Sequence, residues 1–280
     1  MPPQTIPLSG NELNLSATLF SGQVFRWSTE ADGWLSGSVG KTSLRLHQHE
    51  NTVEFQGADE AFVRSFLRLD ELVLEEQARR WCALDLLFAT AWERQPGLRI
   101  LRQDPHECFF SFLCASVAPI ARIRKMLEAI CEEATGEPLG PFPTLEQLLP
   151  LRESRLRERG LGFRAARVVQ AAQKLAQKPD GWLDSLRGKP LAELEAELTQ
   201  FPGIGRKIAD CIALFSLDAD AAVPVDTHIW RIAKTHYAPE LRDTSLTPAN
   251  YERAASAFQR NFGPYAGWAQ QTLFYQQAVK

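Results

Sequence analysis

The sequence predicts an α+β protein in which an antiparallel β-sheet precedes a mostly helical region. The first 57 residues contain short, partly alternating apolar runs separated by turn residues, which is the pattern of antiparallel strands. From Asp59 onward the apolar residues recur with a helical period. The breaker cluster Phe201–Gly205 then separates two helical patterns, which indicates a tight turn between two helices.

Five strands are predicted in the amino-terminal region, and an antiparallel meander is the simplest way to connect them. Turn residues such as Asp32-Gly33 and Glu50-Asn51 separate the apolar runs. The predicted strands are Glu12–Leu19, Val24–Thr29, Gly33–Val39, Ser43–His47 and Thr52–Phe55.

The helical region that follows is interpreted as two parts. Aromatic residues at helical spacing, such as Phe66, Trp81 and Phe88, are interpreted as core. Asp104-Pro105 is a favourable helix start, because proline is accepted in the first turn. The domain boundary is therefore placed near Asp104, which gives a sheet domain with trailing helices over 1–104 and a helical domain over 105–280.

The composition favours a globular intracellular protein. A chain of 280 residues with 45% hydrophobic content can bury one sizeable core or two adjoining ones. No apolar run approaches the ~20 residues needed to span a membrane, and Met1–Leu8 lacks the features of a secretory signal. Five dispersed cysteines without close CxxC pairs favour reduced thiols and argue against zinc. The expected location is the cytoplasm or nucleoid in a bacterium and the nucleus in a eukaryote.

The net charge of −3 does not favour nucleic-acid binding, but the charge is unevenly distributed. Between Arg152 and Lys189 there are ten Lys and Arg residues against four acidic ones. A local basic surface of this kind is sufficient for short-range contacts with phosphate. For most of these residues a solvated helix face is the simpler interpretation.

The hairpin predicted over about 191–216 has the features of a phosphate-binding turn. Gly203 and Gly205 permit a positive φ and the close approach of another backbone. They leave the first N–H groups of the second helix, including that of Ile208, without intrahelical partners. Together with the positive end of the helix dipole, these donors can bind phosphate without a basic side chain.

The motifs in this region resemble those of a known family. Pro202-Gly203-Ile204-Gly205 is followed by Lys207 and later by Asp226, in the order and spacing of the helix-hairpin-helix (HhH-GPD) DNA glycosylases. The runs Lys207–Cys211 and Val223–His228 resemble the 8-oxoguanine DNA glycosylase branch more specifically. The resemblance extends from Ser21 to Phe274. It implies a TATA-binding-protein-like antiparallel sheet joined to a helical glycosylase domain, with the active site in the cleft between them.

The resemblance implies that Lys207 and Asp226 are the catalytic residues of a DNA glycosylase and AP lyase. The neutral Lys207 amine would attack C1′ of the extruded nucleotide, expel the base and form a Schiff base. The strand would then be cleaved by β-elimination. Asp226 would assist the nucleophile and stabilise the positive sugar, and it also stands where a helix N-cap is expected. A phosphate-contacting surface lysine is the alternative interpretation of Lys207.

A pocket for the damaged base is implied by four residues. Gly22 lies in Ser21–Trp27, which resembles a signature of the family in which the glycine carbonyl accepts the N7–H of 8-oxoguanine. Cys211 lies one helical turn after Lys207 and would approach the base. Gln270 and Phe274 share a helix face and would respectively hydrogen-bond to the base and stack on it. A strand bend at Gly22 and core packing of Phe274 are the structural alternatives.

Recognition of the opposite base is implied for Arg122 and Arg164, which would read the orphaned cytosine, with Phe163 as an aromatic wedge. The main departure from the family is Val117, which stands where an asparagine usually fills the hole left by the extruded base. Valine cannot donate a hydrogen bond to cytosine. The sequence therefore predicts a relaxed preference for the opposite base.

The remaining expectations concern phosphate, ions and partners. By resemblance, His228 contacts a backbone phosphate, and Gln277 replaces the aspartate that usually pairs with this histidine. No catalytic metal is expected, and no iron–sulfur cluster, because no cysteine follows Cys211. Backbone carbonyls near Phe201 and Ile204 are expected to be able to hold a structural cation. The expected partner is duplex DNA containing 8-oxoguanine. The protein is expected to act as a monomer and not to associate with a membrane.

Three other functions remain open at the level of sequence. A monofunctional glycosylase of the same fold for alkylated purines would need only the aspartate, so Lys207 argues against it. A non-catalytic damage-binding module would not need Lys207 and Asp226 together. A helical scaffold without a role on DNA would show a flat salt dependence of DNA binding.

Overall fold

The computed structural model describes residues 3–278 and confirms the predicted α+β fold class. A five-stranded antiparallel sheet, in the order β1-β5-β4-β3-β2, precedes a predominantly helical region. The strands are β1 Gln4–Pro7, β2 Ser28–Thr29, β3 Leu35–Val39, β4 Thr42–His49 and β5 Thr52–Gln56. Strands β2 to β5 form the predicted meander, and β1 pairs with the free side of β5.

The sheet separates a buried face from an outer polar face. Leu44 and Leu46 of β4 point to the core, as do Val53 and Phe55 of β5, and all four are almost completely buried. The residues between them lie on the other face, because side chains alternate along a strand.

The first predicted strand is wrong. Leu15–Phe20 forms helix α1, and the Asn14 side chain caps it by accepting the Ala17 N–H at 2.9 Å. The cap gives the backbone a local partner that strand pairing would otherwise provide, which favours the helix. The actual first strand, Gln4–Pro7, was not predicted, and only Ser28–Thr29 of the predicted second strand is paired.

Fourteen further α-helices are found within residues 3–278. Three of them, α2 to α4, follow the sheet, and the others build the helical region. Their bounds are α2 Glu60–Leu67, α3 Leu74–Leu84, α4 Leu86–Arg94, α5 Pro105–Cys114, α6 Ile120–Thr135, α7 Leu145–Leu148, α8 Glu153–Glu158, α9 Arg164–Leu175, α10 Trp182–Ser185, α11 Leu191–Leu198, α12 Arg206–Ser216, α13 Thr227–Ile232, α14 Pro248–Phe262 and α15 Ala266–Ala278.

Two hydrophobic cores support the molecule. The smaller core lies beneath the sheet and is completed by α1 and α2. The larger core lies among the helices and includes Trp81 of α3 and Phe88 of α4. Helices α3 and α4, which precede Asp104 in sequence, thus pack into the helical core, and the division at residue 104 stays a prediction. Asp104 caps α5 by accepting the Glu107 N–H at 2.8 Å.

The hairpin has the predicted position, with α11 and α12 on either side of the turn. No helix within the described range 3–278 is both long and apolar enough to cross a membrane.

Candidate active site

Six of the residues predicted from sequence line a single pocket between the amino-terminal segment and the helical region. They are Gly22, Lys207, Cys211, Asp226, Gln270 and Phe274. The pocket has a cavity volume of about 30 Å³, which is room for a few water molecules at most and not for a purine. A purine could therefore enter this pocket only if the pocket widened.

Lys207 stands in the first turn of α12 and reaches into this pocket. Its Nζ lies 5.7 Å from the centre of the Phe112 ring. Burial raises the pKa of the Cys211 thiol to about 11, although the charge of Lys207 and its hydrogen bond to the thiol act in the opposite direction. Cys211 is therefore a neutral thiol at pH 7, and Lys207 is the amine that this helix presents to the pocket.

Asp226 has the N-cap position that the sequence predicted for it. Its carboxylate accepts the Ile229 N–H at 2.8 Å at the start of α13. This hydrogen bond uses one carboxylate oxygen and fixes the side chain at the wall of the pocket. Within residues 3–278 no hydrogen bond to the second carboxylate oxygen is found, so the N-cap role leaves that oxygen available to the pocket.

Gly22 adopts a conformation that requires glycine. Its φ is +84°, and a Cβ at this position would lie 3.3 Å from Ile120 Cδ1 and 3.8 Å from Phe274 Cε1. The Gly22 carbonyl accepts no hydrogen bond from any residue in the range 3–278. It is therefore available as an acceptor for a donor on the base edge.

Buried hydrogen bonds hold the segment around Gly22 in place. The Gln23 side chain donates to the carbonyls of Thr18 and Arg99 and accepts the Leu101 N–H, at 2.8–2.9 Å. Gln271 of α15 donates to the Ser21 carbonyl at 3.0 Å. Sequence reasoning missed Gln271, whose role depends on a contact between residues 250 positions apart.

Gln270 carries an unsatisfied polar atom into the pocket. The residue is 2% exposed, and its Oε1 is buried without a hydrogen-bond partner among the described residues. An orphaned buried acceptor is costly in the free protein. Its position in the pocket makes it a natural partner for a donor on a bound base.

The hairpin presents backbone donors at the surface. Gly203 has a φ of +87°, and a Cβ there would lie 2.4 Å from Arg167 Cδ, so glycine is required. Gly205 has a φ of −91°, which any residue can adopt, so this position does not use the positive φ that glycine permits. Space around Gly205 is nevertheless open, and no side chain caps α12. The N–H groups from Arg206 to Ile208 are left available for phosphate.

The residues predicted to read the opposite base lie near the loop that precedes α6. Arg122 is exposed, and the guanidinium groups of Arg164 and Arg167 lie over the half-exposed Phe163 ring, at 4.3 and 4.7 Å from its centre. Arg164 is 2% exposed and donates to the carbonyls of Ser116 and Val117. In this state Arg164 supports the loop, so its role in reading a base stays a prediction.

Val117 has two unusual properties. Its side chain is 92% exposed, and its φ is +52°, a region that β-branched residues rarely occupy. The loop thus projects an apolar side chain away from the protein at the position where the family usually has an asparagine.

His228 lies beside the pocket, with its ring 6.0 Å from that of Phe274. Arg231 lies between His228 and Gln277, at 3.5 Å from His228 Nδ1 and 3.3 Å from Gln277 Oε1. The arginine thus bridges the residue pair in which glutamine replaces the usual aspartate.

Most of the basic residues between Arg152 and Lys189 are neutralised at the surface. Arg155, Arg157 and Arg159 form ion pairs with glutamates at 2.5–3.2 Å. This agrees with the simpler interpretation of a solvated helix face. Beside the hairpin, Arg167 lies against Gly203, and Lys174 Nζ donates to the Gln200 carbonyl at 2.8 Å.

Two family models match the chain. Residues 5–109 match the amino-terminal domain of 8-oxoguanine DNA glycosylase, and residues 110–255 match the HhH-GPD superfamily base excision DNA repair protein. Together they cover the sheet domain, the hairpin and Asp226.

Similar proteins are found in plants, yeast and bacteria. The N-glycosylase/DNA lyase OGG1 of Arabidopsis thaliana is 38% identical over 96% of this chain and 78% of its own length. The N-glycosylase/DNA lyase of Saccharomyces cerevisiae is 28% identical over 96% of this chain and 84% of its own length. Among solved structures, a similar one is the 8-oxoguanine glycosylase/lyase of Clostridium acetobutylicum in complex with double-stranded DNA containing cytosine opposite 8-oxoG. The structural match has a TM-score of 0.82 at 27% sequence identity and covers 95% of this chain and 91% of that one.

Proposed function

Because this chain belongs to the 8-oxoguanine DNA glycosylase family of the HhH-GPD superfamily, we propose that it excises 8-oxoguanine from duplex DNA and cleaves the resulting abasic site as an AP lyase. The observation that carries the proposal is that Lys207 and Asp226 line one pocket with Gly22 and the unsatisfied Gln270. A nucleophile, a carboxylate and polar groups for a base edge are thus assembled at one place.

The base must leave the duplex before it reaches this pocket, because its glycosidic bond is inaccessible within the stack. The N–H groups of the hairpin hold a backbone phosphate of the damaged strand. The Gly22 carbonyl accepts the N7–H that 8-oxoguanine has and guanine lacks. A normal guanine would leave this acceptor unpaired and place a second acceptor against it, so polar recognition discriminates strongly between the two bases.

The chemistry then proceeds on Lys207. The neutral amine forms a bond to C1′ while the bond from C1′ to N9 breaks, and the base leaves with that electron pair and takes up a proton. Asp226 stabilises the positive charge that develops on the sugar. Loss of the amine proton and opening of the ring give a Schiff base. Removal of a C2′ proton then expels the 3′ phosphate as the β-elimination product.

Protein side chains carry all these steps, and we propose no catalytic metal, iron–sulfur cluster or other cofactor. A structural cation at the hairpin is compatible with the donors present. The Phe201 carbonyl accepts the Ile204 N–H at 3.1 Å, and its second lone pair can face an ion. We further propose that the protein acts as a monomer inside the cell, where the genomic DNA lies, and its five free thiols fit such a reducing location.

Borohydride trapping tests the proposal. The protein is incubated with duplexes that carry one 8-oxoguanine opposite each of the four bases, and covalent adducts are detected by gel shift. We expect an adduct with the wild type that disappears in Lys207→Gln. The matched control is Lys125→Gln, which removes an exposed lysine of α6.

The other outcomes distinguish the alternatives. Trapping that persists in Lys207→Gln would contradict the assignment of the nucleophile. Excision by the folded wild type without any adduct would favour a monofunctional glycosylase. Salt-dependent binding to damaged DNA without excision would favour a binding module.

A further inference from the structure

Three potential metal ligands converge on the outer face of the sheet, far along the chain from the catalytic motifs. His47 and His49 are two residues apart on β4 and therefore share a face. Glu54 of β5 is the direct cross-strand partner of His47 and points to the same side. Glu54 Oε2 lies 3.3 Å from His49 Nε2 and 3.9 Å from His47 Nδ1.

These distances match the demands of a single ion. One ligand atom from each of the three residues lies within 4.8 Å of the others. Ligands bound at 2.0–2.2 Å to one zinc ion lie about 3–3.5 Å from each other. Small rotations of partly exposed side chains close the remaining gap. Two imidazole nitrogens and one carboxylate oxygen suit zinc, nickel and copper, and leave positions for water.

The neighbouring residues orient His47. The Trp34 ring stacks on the imidazole, with 5.5 Å between ring centres and an angle of 26°. A Cβ at Gly33 would lie 3.5 Å from His47 Nε2, so glycine leaves this side of the ring uncrowded. Holding the ring in place directs Nδ1 towards Glu54, which is how supporting groups aid metal ligands.

We propose that His47, His49 and Glu54 form a binding site for a divalent transition metal, with zinc, nickel or copper as suitable ions. The site is separate from the reaction, and the ion would cross-link β4 to β5 beside their connecting turn. Because the ion binds the folded sheet, saturating metal is expected to raise the thermal stability of the protein.

Calorimetric titration of the tag-free full chain with zinc, nickel or copper chloride tests the site. We expect saturable one-to-one binding by the wild type. Loss of a group that merely supports a metal ligand weakens binding by roughly 10- to 100-fold, so His49→Gln, which removes a ligand itself, should weaken it by at least that much. His236→Gln removes another exposed histidine and is the matched control. Equal binding by His49→Gln, or no saturable binding by the wild type, would show that the cluster is only a surface ion pair.

Fluorescence supplies a second readout of the same site. Copper or nickel bound to His47 lies beside Trp34 and is expected to quench part of the tryptophan emission. Trp34→Phe should remove this quenched component while calorimetric binding persists. Quenching of the same size in Trp34→Phe would place the ion elsewhere and overturn the assignment.

The buried side of α12 is hydrogen-bonded to the segment that carries Asp226. Asp210 of α12 is 1% exposed, and its Oδ2 accepts a hydrogen bond from the Tyr251 hydroxyl at 2.5 Å. The same hydroxyl accepts the Val225 N–H at 3.0 Å. Tyr251 thus connects a residue three positions after Lys207 to the peptide directly before Asp226.

Arg206 contacts the other carboxylate oxygen of Asp210. Its Nε lies 3.3 Å from Asp210 Oδ1, and its remaining nitrogens contact Glu195 at 2.6 Å and Glu252 at 3.0 Å. The guanidinium also lies over the Tyr251 ring at 5.5 Å. Asp210 is therefore fixed from two sides and can serve as an anchor.

We infer that Tyr251 is a positioning residue that sets the distance between Lys207 and Asp226, an inference that rests on the proposed function. The helix fixes Lys207 relative to Asp210, and a single peptide unit separates Val225 from Asp226. The N-cap hydrogen bond of Asp226 orients its carboxylate locally. The Tyr251 hydroxyl instead connects the backbone at Val225, directly before Asp226, to α12, which carries Lys207.

The test is Tyr251→Phe, which removes only the hydroxyl. Under single-turnover conditions with saturating enzyme, we expect excision of 8-oxoguanine to slow by roughly 10- to 100-fold, the range produced by small displacements of catalytic groups. Binding to a duplex with an uncleavable tetrahydrofuran site should be unchanged. Tyr237→Phe, which alters another phenol packed against α14, should leave both quantities unchanged.

The outcomes separate this inference from the proposed function. If the wild type forms a borohydride adduct and Tyr251→Phe excises at the same rate, only the positioning role is wrong. A parallel fall in rate, DNA binding and melting temperature would show a merely structural role and would also overturn it. If the wild type forms no adduct, the proposed function itself fails.

Discussion

The Gln271 side chain donates to the Ser21 carbonyl at 3.0 Å, which joins the last helix to the segment that carries Gly22. Two parts of the base pocket that are distant in sequence are thereby held at a fixed separation. Gly22 presents its carbonyl from one side, and Gln270 and Phe274 of α15 approach from the other. In the proposed function, recognition of the base would depend on this separation as much as on the groups themselves.

Gly22→Ala is expected to slow excision of 8-oxoguanine by roughly tenfold or more, because ångström displacements at a reacting site have effects of this size. The added methyl group requires a strained φ and presses on Ile120. Cleavage of a preformed abasic site should be affected less, since no base has to be recognised. Single-turnover rates on both substrates check the prediction.

The control for Gly22→Ala is Gly181→Ala. Gly181 also has a positive φ, of +70°, but a Cβ there would meet nothing within 4 Å. It carries similar backbone strain without the contact in the pocket. Equal losses in both variants would attribute the effect to strain and not to the geometry of the base pocket.

Gln270→Leu is expected to stabilise the free protein and to slow excision. The substitution removes a buried acceptor without a partner, a group that costs about 1–3 kcal/mol. It also removes the polar group that faces the base. Urea unfolding and single-turnover excision measure the two effects, and a variant that loses stability would contradict the inference that Oε1 is unsatisfied in the free state.

Val117→Asn is expected to narrow the range of accepted opposite bases in favour of cytosine. Asparagine can donate to the orphaned base, and it tolerates the observed φ of +52° better than valine does. Excision rates opposite all four bases provide the test. An unchanged pattern would show that Val117 does not set the preference.

The sequence predicted six residues that the structure brings into one pocket, but it did not predict the contacts that hold them. Motif spacing and family resemblance brought Gly22, Lys207 and Asp226 together, because each lies in a short signature with a local conformational role. The same local reasoning failed for Glu12–Leu19, where a short apolar pattern fits a strand or a helix and the Asn14 cap decides between them. Contacts such as Tyr251 with Asp210 join separate helices, so no local pattern reveals them.

Asp210→Asn is expected to flatten the pH dependence of stability between pH 5 and 8. Burial raises the pKa of Asp210 to about 7 from an ordinary value of 3.8. The groups that face it are Arg206, Glu195 and Tyr251, with Glu252 beyond. The folded state therefore holds a proton that the unfolded state releases, and the stability that Asp210 contributes is present below pH 3.8 and lost as the pH rises through 7.

In the wild type the free energy of unfolding should decrease as the pH rises from 5 to 8. In Asp210→Asn this decrease should be smaller by about 1–3 kcal/mol, because residue 210 no longer titrates. Urea unfolding at each pH measures it. Some slope should persist in Asp210→Asn, because burial also raises the pKa of Glu107 to about 7, beside Arg26. Identical slopes in the wild type and the variant would show that Asp210 stays ionised across this range, in which case Arg206 outweighs the effect of burial.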